Sequence, residues 1–388
     1  MRCGSRDTAL ISSDVGEAAV AGRQSRFTVV VKMGSSTLTD ERGKFRLGPM
    51  AGRVAEICDL HRRGHHVVLV SSGAVSSGIG PLGLSTRPAE IDELQAAAAV
   101  GQGRLFHAYS ELFGHEEVVT AQVLLTAPDF ASRHSYLNAR NTLNKLLEWR
   151  VVPIVNENDT TSTDELCFGD NDMLAAQVAL LIKADLLVLL TDTEGLYTAN
   201  PAEDPKARLI KEVRDFAELE DISTDSRNVL GRGGMASKVR AAKVATSGGV
   251  KATIARGSRP GVITACVGGE DVGTRFLPRD LNLGAFKLWL LYGKPVSGRI
   301  QVDAGAARAI LCDSSLLPVG VVAVDGDFQA GDAVSVVDES GKELARGLCD
   351  YSSSELNQVK GLRSTDVAAV LPQAAPDAIH RDCLVLVE

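Results

Sequence analysis

The stretch TVVVKMGSS, residues 28–36, decides the fold. Its first four residues are an unbroken apolar run of strand-forming type, too short for a helix and without polar alternation, so both faces of the strand must be covered. The run passes directly into Lys32, Met33, Gly34, Ser35 and Ser36. Glycine lets the backbone approach a ligand closely, exposed N–H groups and hydroxyls can bind phosphate oxygens, and Lys32 adds a positive point charge.

Outward from that stretch the pattern repeats. Apolar runs at residues 66–70, 118–125, 151–155, 185–190 and 251–255 end in polar or glycine-rich turns, each followed by a helical stretch. The helices read as amphipathic: over residues 135–149, Tyr136, Leu143, Leu146 and Leu147 fall on one stripe, while Asn141, Asn144, Lys145 and Glu148 lie elsewhere. The expected fold is α/β, an open, mostly parallel sheet sandwiched by helices. Ligands of such sheets bind beyond the carboxyl ends of the strands, so the residues after each run are the candidate site.

After about Arg275 the texture changes to short strands at 298–302, 319–324, 333–337 and 384–387, broken by Asp325-Gly326-Asp327 and Glu339-Ser340-Gly341. The expected division is a flexible N-terminal extension over residues 1–26, an α/β domain over 27–280, a linker over 281–294 and a small β-rich domain over 295–388. With 388 residues, 45% hydrophobic and 23% charged, the chain can bury a core, and wholesale disorder is excluded.

Charge restricts the partners. Lys+Arg 41 against Asp+Glu 49 gives a net −8, and residues 295–388, with 7 basic and 14 acidic residues, carry −7 of it. The chain lacks the cationic footprint of electrostatic nucleic-acid binding. Seven scattered cysteines without a CxxC read as reduced, mostly buried thiols. No signal-peptide core and no run of about 18 uncharged apolar residues occurs, so a cytoplasmic protein outside the membrane is expected.

The other strand ends add to the first. Ser71-Ser72-Gly73-Ala74 is a second phosphate-cradle candidate. Asn156-Glu157-Asn158-Asp159 follows the fourth run, and Gly169-Asp170-Asn171-Asp172 opens a helix near Met173. One Asp at a helix start is ordinarily a cap. These two loops hold more carboxylates and amides than capping needs, and could bind an ammonium group, orient lysines or hold Mg²⁺ through water. Leu190 to Tyr197 is an extended loop suited to nucleotide contact, and Gly231 to Lys238 is a glycine-rich loop leading into a helix, an anion site with Lys238 at its start. The G-x-G-x-x-G match at Gly78, Gly80 and Gly83 contains Pro81 and does not directly follow a strand, so it is no dinucleotide fingerprint. No Walker A sequence, no G-x-S-x-G elbow and no His beside a nucleophile is present.

In this order the motifs VKMGSS (31–36), SGA (72–74), YLNAR (136–140), PIVNEND (153–159), GDND (169–172), LTDTEGLYT (190–198), GGMASK (233–238) and GSRPGVI (257–263) resemble the amino acid kinase family, and the acidic tail resembles a PUA domain. The resemblance implies ATP-dependent phosphorylation of the γ-carboxylate of L-glutamate to L-glutamyl 5-phosphate, the first step of proline synthesis. It also implies a Mg²⁺ requirement, feedback inhibition by proline, and a homo-oligomer, dimer or tetramer. By the same resemblance Lys32 and Lys238 flank the transferring phosphoryl group and Asp172 holds both lysines. Ser72, Asp159 and Asn171 bind glutamate, with Asn156 and Asp170 nearby. ATP meets Lys32, Gly34, Thr191, Asp192, Arg232, Gly233, Gly234, Met235, Ala236, Ser237 and Lys238, and no residue is assigned as a metal ligand. Arg232 departs from the family, which usually has a small hydroxyl residue there. Other acid kinases of this fold lack the 153–172 pattern and the tail. The alternative from another class is an RNA-binding protein acting through the tail, with Lys360, Arg363 and Arg381 as a local basic stripe against the regional −7.

Overall fold

Strand β1 (Thr28–Met33) sits in the middle of an eight-stranded sheet and shows why its sequence needed no polar alternation. Val30 packs into one apolar core, while Val29 and Val31 pack into another on the opposite face. In the computed structural model the described residues are 26–34, 38, 45–131, 133–161, 171–219, 234–278, 284–292, 294, 296–372 and 375–387. Of the expected N-terminal extension only Arg26 falls among them.

After β1 come α1 (Leu47–Arg62), β2 (His66–Ser71), α2 (Ala74–Ile79), α3 (Ile91–His115), β3 (Thr120–Leu125), α4 (Ala127–Ala131), α5 (Arg133–Glu148) and β4 (Val152–Glu157). The chain then crosses the sheet through α6 (Asn171–Leu181) to β5 (Leu186–Thr191), β6 (Glu212–Val213), α7 (Gly234–Ser247), β7 (Lys251–Arg256), α8 (Val262–Val267) and β8 (Thr274–Phe276). Strand order is β3-β4-β2-β1-β5-β7-β8-β6. All pairs are parallel except β7 with β8. Each of the six expected runs lies on one of the parallel strands, within two residues of its ends.

The winding reverses between β1 and β5: β2 and β4 lie on one side of β1, while β5 and β7 lie on the other. Helix α6 makes that crossing, so its first turn lies at the carboxyl ends of the strands beside the switch point, where doubly wound sheets bind ligands. Helices α5, α6 and α7 cover one face, and α1, α3 and α8 the other.

The first glycine of the false dinucleotide motif has a packing role, shared with Gly101 on α3. A Cβ on Gly78 would lie 2.0 Å from Ala97 O, and one on Gly101 1.8 Å from Ala74 O, so only glycine lets α2 and α3 press together.

The expected linker contains a helix, α9 (Ala285–Tyr292), whose sequence AFKLWLLY is apolar almost throughout and therefore buries: Leu288, Trp289 and Leu290 join the core beside α6 and α7. A second sheet follows, ordered β10-β9-β11-β12-β13, from β9 (Val296–Val302), β10 (Val321–Gly326), β11 (Ala333–Val337), β12 (Glu343–Leu348) and β13 (Leu384–Leu386). Helices α10 (Ala304–Leu311), α11 (Ser353–Val359) and α12 (Ser364–Val370), absent from the strand-only expectation, pack around its own core of Ile300, Phe328, Tyr351 and Ile379. Arg346 on β12 donates to Leu291 O at 2.8 Å and ties this unit to α9. No helix among the described residues is long and apolar enough to cross a membrane.

Candidate functional site

Two neighbouring residues at the start of α6 organise the site. Asp172 is fully buried, and its carboxylate closes two ion pairs, Oδ1 with Lys32 Nζ at 2.6 Å and Oδ2 with Lys238 Nζ at 2.9 Å. Lys32 arrives from the end of β1 and Lys238 from the first turn of α7, and both are buried. Ser237 Oγ also donates to Asp172 Oδ2, at 3.2 Å, and Lys238 Nζ donates to Gly234 O at 3.3 Å. One carboxylate between two ammonium groups leaves a formal charge of +1, at a helix N-terminus whose dipole adds to it. A buried charge is strongly attractive to an incoming anion, because little water intervenes to screen it.

Glycines keep the cradle open. A Cβ at Gly34 would come 3.9 Å from Lys32 Nζ, and one at Gly234 3.4 Å from Lys238 Nζ. Both ammonium groups therefore lie against bare backbone, the surroundings a phosphate needs.

Asn171, one residue earlier, faces an uncharged neighbourhood. Its Nδ2 donates to Ser71 O at 2.8 Å, to Ser72 Oγ at 3.2 Å and to Asn156 Oδ1 at 2.6 Å. Asn156 Oδ1 also accepts from Glu157 N at 2.9 Å, and Asn156 Nδ2 donates to Gln102 Oε1 at 2.7 Å. Gly73, with φ +105°, turns the chain at the end of β2 in a conformation that favours glycine and keeps Ser72 beside Asn171. Asn156 is only 2% exposed, its amide turned to Asn171 and Gln102. Asp159 stands in the turn after β4, where burial pushes its carboxyl above the usual carboxylate range and Arg87 opposes the shift.

On the opposite side of β1, the end of β5 carries Thr191 and Asp192, joined by a hydrogen bond from Thr191 Oγ1 to Asp192 Oδ1 at 3.1 Å. Gly257 N donates to Thr191 O at 2.7 Å, and Arg256 pairs with Glu194 at 2.9 Å, fastening the turn after β7 to this loop. That turn is gripped from behind by α1: Arg53 donates to Arg259 O at 2.6 Å, and Glu56 accepts from Gly261 N at 2.7 Å and Ile263 N at 2.9 Å. Met235 and Ala236 lie in the first turn of α7. Asp170, Arg232 and Gly233 lie outside the described residues.

The structure thus brings Lys32, Asp172 and Lys238 together, places Ser72, Asn171 and Asn156 in one hydrogen-bonded group, and sets Thr191 and Asp192 at the neighbouring strand end. Gln102 and the Arg53–Glu56 pair were missed by the sequence reading, since each sits mid-helix with no local pattern. Among the described residues no three His, Cys, Asp or Glu side chains converge as a metal cage. Cys58, Cys266 and Cys349 are buried, and burial pushes each thiol up to about 12.

Residues 27–256 match the amino acid kinase family, and residues 298–371 match the PUA domain. The glutamate 5-kinase of Moorella thermoacetica is 48% identical over 361 residues, covering 92% of this chain and 96% of that protein. The glutamate 5-kinase of Chromohalobacter salexigens is 48% identical with coverage of 92% and 96%, and that of Synechococcus elongatus is 47% identical with coverage of 92% and 99%.

Proposed function

This chain belongs to the amino acid kinase family and phosphorylates the γ-carboxylate of L-glutamate with ATP, and we propose that Lys32, Lys238 and Asp172 carry the transfer. The observation behind this assignment is the single buried carboxylate of Asp172 holding two ammonium groups from separate elements. An oxygen of the γ-carboxylate attacks the γ-phosphorus of ATP, the bond to the bridging oxygen breaks, and ADP leaves with that electron pair. The nucleophile is already ionised, so the protein supplies position and charge neutralisation rather than a base. Lys32 and Lys238 meet the charge that develops on the transferring phosphoryl group, and Asp172 fixes where they stand.

Glutamate is held by Ser72, Asn171 and Asp159, with Asn156 and Asp170 in support. The raised carboxyl of Asp159 fits this role, since a half-buried carboxylate gains from an ammonium partner. ATP takes Gly34, Thr191, Asp192 and the loop from Arg232 to Lys238. Magnesium characteristically reaches kinase sites on substrate phosphates and keeps several waters. Mg²⁺ would come to this site on the phosphates of the bound nucleotide, where it would neutralise phosphate charge beside Lys32 and Lys238. The product enters proline synthesis in the cytoplasm. Proline inhibits by occupying the glutamate end of the site, and the active protein is a homo-oligomer, dimer or tetramer. The functional division is 27–280 for catalysis, 281–294 as connection and 295–388 as the PUA unit.

The test is to incubate the protein with Mg-ATP and hydroxylamine, which traps an acyl phosphate as a hydroxamate. Glutamate, N-acetylglutamate and aspartate are offered in parallel, with and without proline. Hydroxamate from glutamate alone, suppressed by proline, is expected. Product from one of the other acids would overturn the substrate assignment.

A further inference from the structure

We propose that Gln102 is a specificity-determining residue whose side-chain amide donates to the α-carboxylate of glutamate. The inference rests on the glutamate-kinase reading and adds to it a residue that the motifs do not contain.

An amide side chain has a donor end and an acceptor end, so a chain of amides has a direction, and here the backbone fixes it. At one end the Glu157 N–H can only donate, so Asn156 must turn Oδ1 toward it, 2.9 Å away. Asn156 Nδ2 then points to Gln102, which must answer with Oε1, at 2.7 Å. At the other end the Ser71 carbonyl can only accept, so Asn171 turns Nδ2 toward it at 2.8 Å, and the same nitrogen serves Asn156 Oδ1 at 2.6 Å. No other orientation of the three amides satisfies both backbone groups.

The consequence lies in what remains. Among the described residues Gln102 Nε2 donates to no protein atom and Asn171 Oδ1 accepts from none. Gln102 and Asn171 are both partly exposed, whereas Asn156 between them is sealed. The relay therefore offers a donor at its Gln102 end and an acceptor at its Asn171 end. That is the complement of an amino acid's α-carbon, which bears a carboxylate that accepts and an ammonium that donates. Gln102 takes the carboxylate, and Asn171 takes the ammonium together with Asp159.

Gln102→Glu is the direct test. The variant keeps an oxygen facing Asn156 Nδ2 and so preserves the relay, but replaces the outward donor by an acceptor carrying negative charge. KM for glutamate and Ki for 4-aminobutyrate are measured in the hydroxamate assay. 4-Aminobutyrate retains the reacting carboxylate and the amine and lacks only the α-carboxylate. A site built to hydrogen-bond a substrate group loses heavily when that contact is inverted, so KM for glutamate should rise about tenfold or more. Ki for 4-aminobutyrate and KM for ATP should stay within about twofold, because neither ligand carries the group that Gln102 binds. Equal changes for glutamate and 4-aminobutyrate, or no change in either, would overturn the assignment. Gln102→Met provides a second variant without added charge, expected to show the same selectivity with a smaller rise. Failure of the unmodified protein to form any glutamyl hydroxamate would remove the glutamate-kinase reading itself, a result separable from a substrate-independent effect of the variants.

Discussion

The two ends of the central sheet hold their cations in opposite ways. At the carboxyl ends, Lys32 and Lys238 are answered by the formal charge of Asp172. At the amino ends, Arg150 donates to two neutral oxygens, His65 O at 2.9 Å and His61 O, while His61 Nε2 donates to Arg150 O at 2.9 Å. Phe27 N donates to His65 Nδ1 at 3.1 Å, so that nitrogen is an acceptor and carries no proton. Burial pushes His61, His65 and His66 below the ordinary histidine range, which keeps the histidines there neutral. Arg150 keeps its positive charge but is only half-buried, so water screens its field. The two ammonium groups around Asp172 are buried, so an incoming anion meets their charge with little water between, and the ligand end of the sheet is the end that seals its cations from solvent.

The most severe way to break this contrast is Asp172→Asn. Two buried ammonium groups would lose the formal counter-charge of Asp172, and removing one partner of a buried pair costs about 3–5 kcal/mol. The lysines would also lose the geometry that serves the transition state, so kcat should fall on the order of 10² to 10³. Thermal melting and the hydroxamate rate check the two effects. The counterpart at the other end is Arg150→Met, expected to lower the melting temperature while kcat stays within about twofold, since no reacting group is near. A kcat for Asp172→Asn within tenfold of the unmodified protein would show that the carboxylate is structural, like Arg150.

Helix α6 supplies an intermediate case. Gln177 is fully buried between the two ends, and neither Nε2 nor Oε1 has a hydrogen-bond partner among the described residues. Asn156, by contrast, has both ends of its amide engaged. A buried unpaired polar group costs about 1–3 kcal/mol, and an apolar side chain of similar size removes the cost. Gln177→Leu should therefore raise the melting temperature by roughly 2–4 °C with unchanged kinetics. A lower melting temperature would mean that the amide is satisfied in solution and belongs with Asn156.

How much of this was legible in the sequence depended on whether the cause was local. Strand runs such as residues 185–190 were plain because both faces are covered: Leu187 and Leu189 enter one core, Val188 and Leu190 the other. Lys32, Ser72, Asn171 and Asp172 could be singled out because they lie at the ends of β1 and β2 and at the start of α6, where the fold brings the carboxyl ends of the strands together. Helix α9 was concealed in the expected linker, since a helix apolar on nearly every side shows no stripe, and α10, α11 and α12 are too short to show a period. Gln102 and Glu56 could not be found locally. Each acts on residues far along the chain, and only the packing of α3 and α1 against the sheet supplies the partners.

The smallest effect tests the neutral end. A histidine whose folded pKa is lowered binds fewer protons in the native than in the unfolded state between its folded value and about 6.5, so stability rises with pH through that window. The contribution is complete above about 6.5 and is lost as pH falls toward the folded values. For His65 the cause is burial first, then the charges of Arg63 and Arg150, and protonating Nδ1 would also cost the bond from Phe27 N. The melting temperature should decline from pH 7.5 to 5.5. His65→Asn, whose Oδ1 can accept from Phe27 N but does not titrate, should flatten the decline. An unchanged slope in that variant would remove His65 from the neutral end's pH response and leave His61 and His66 to account for it.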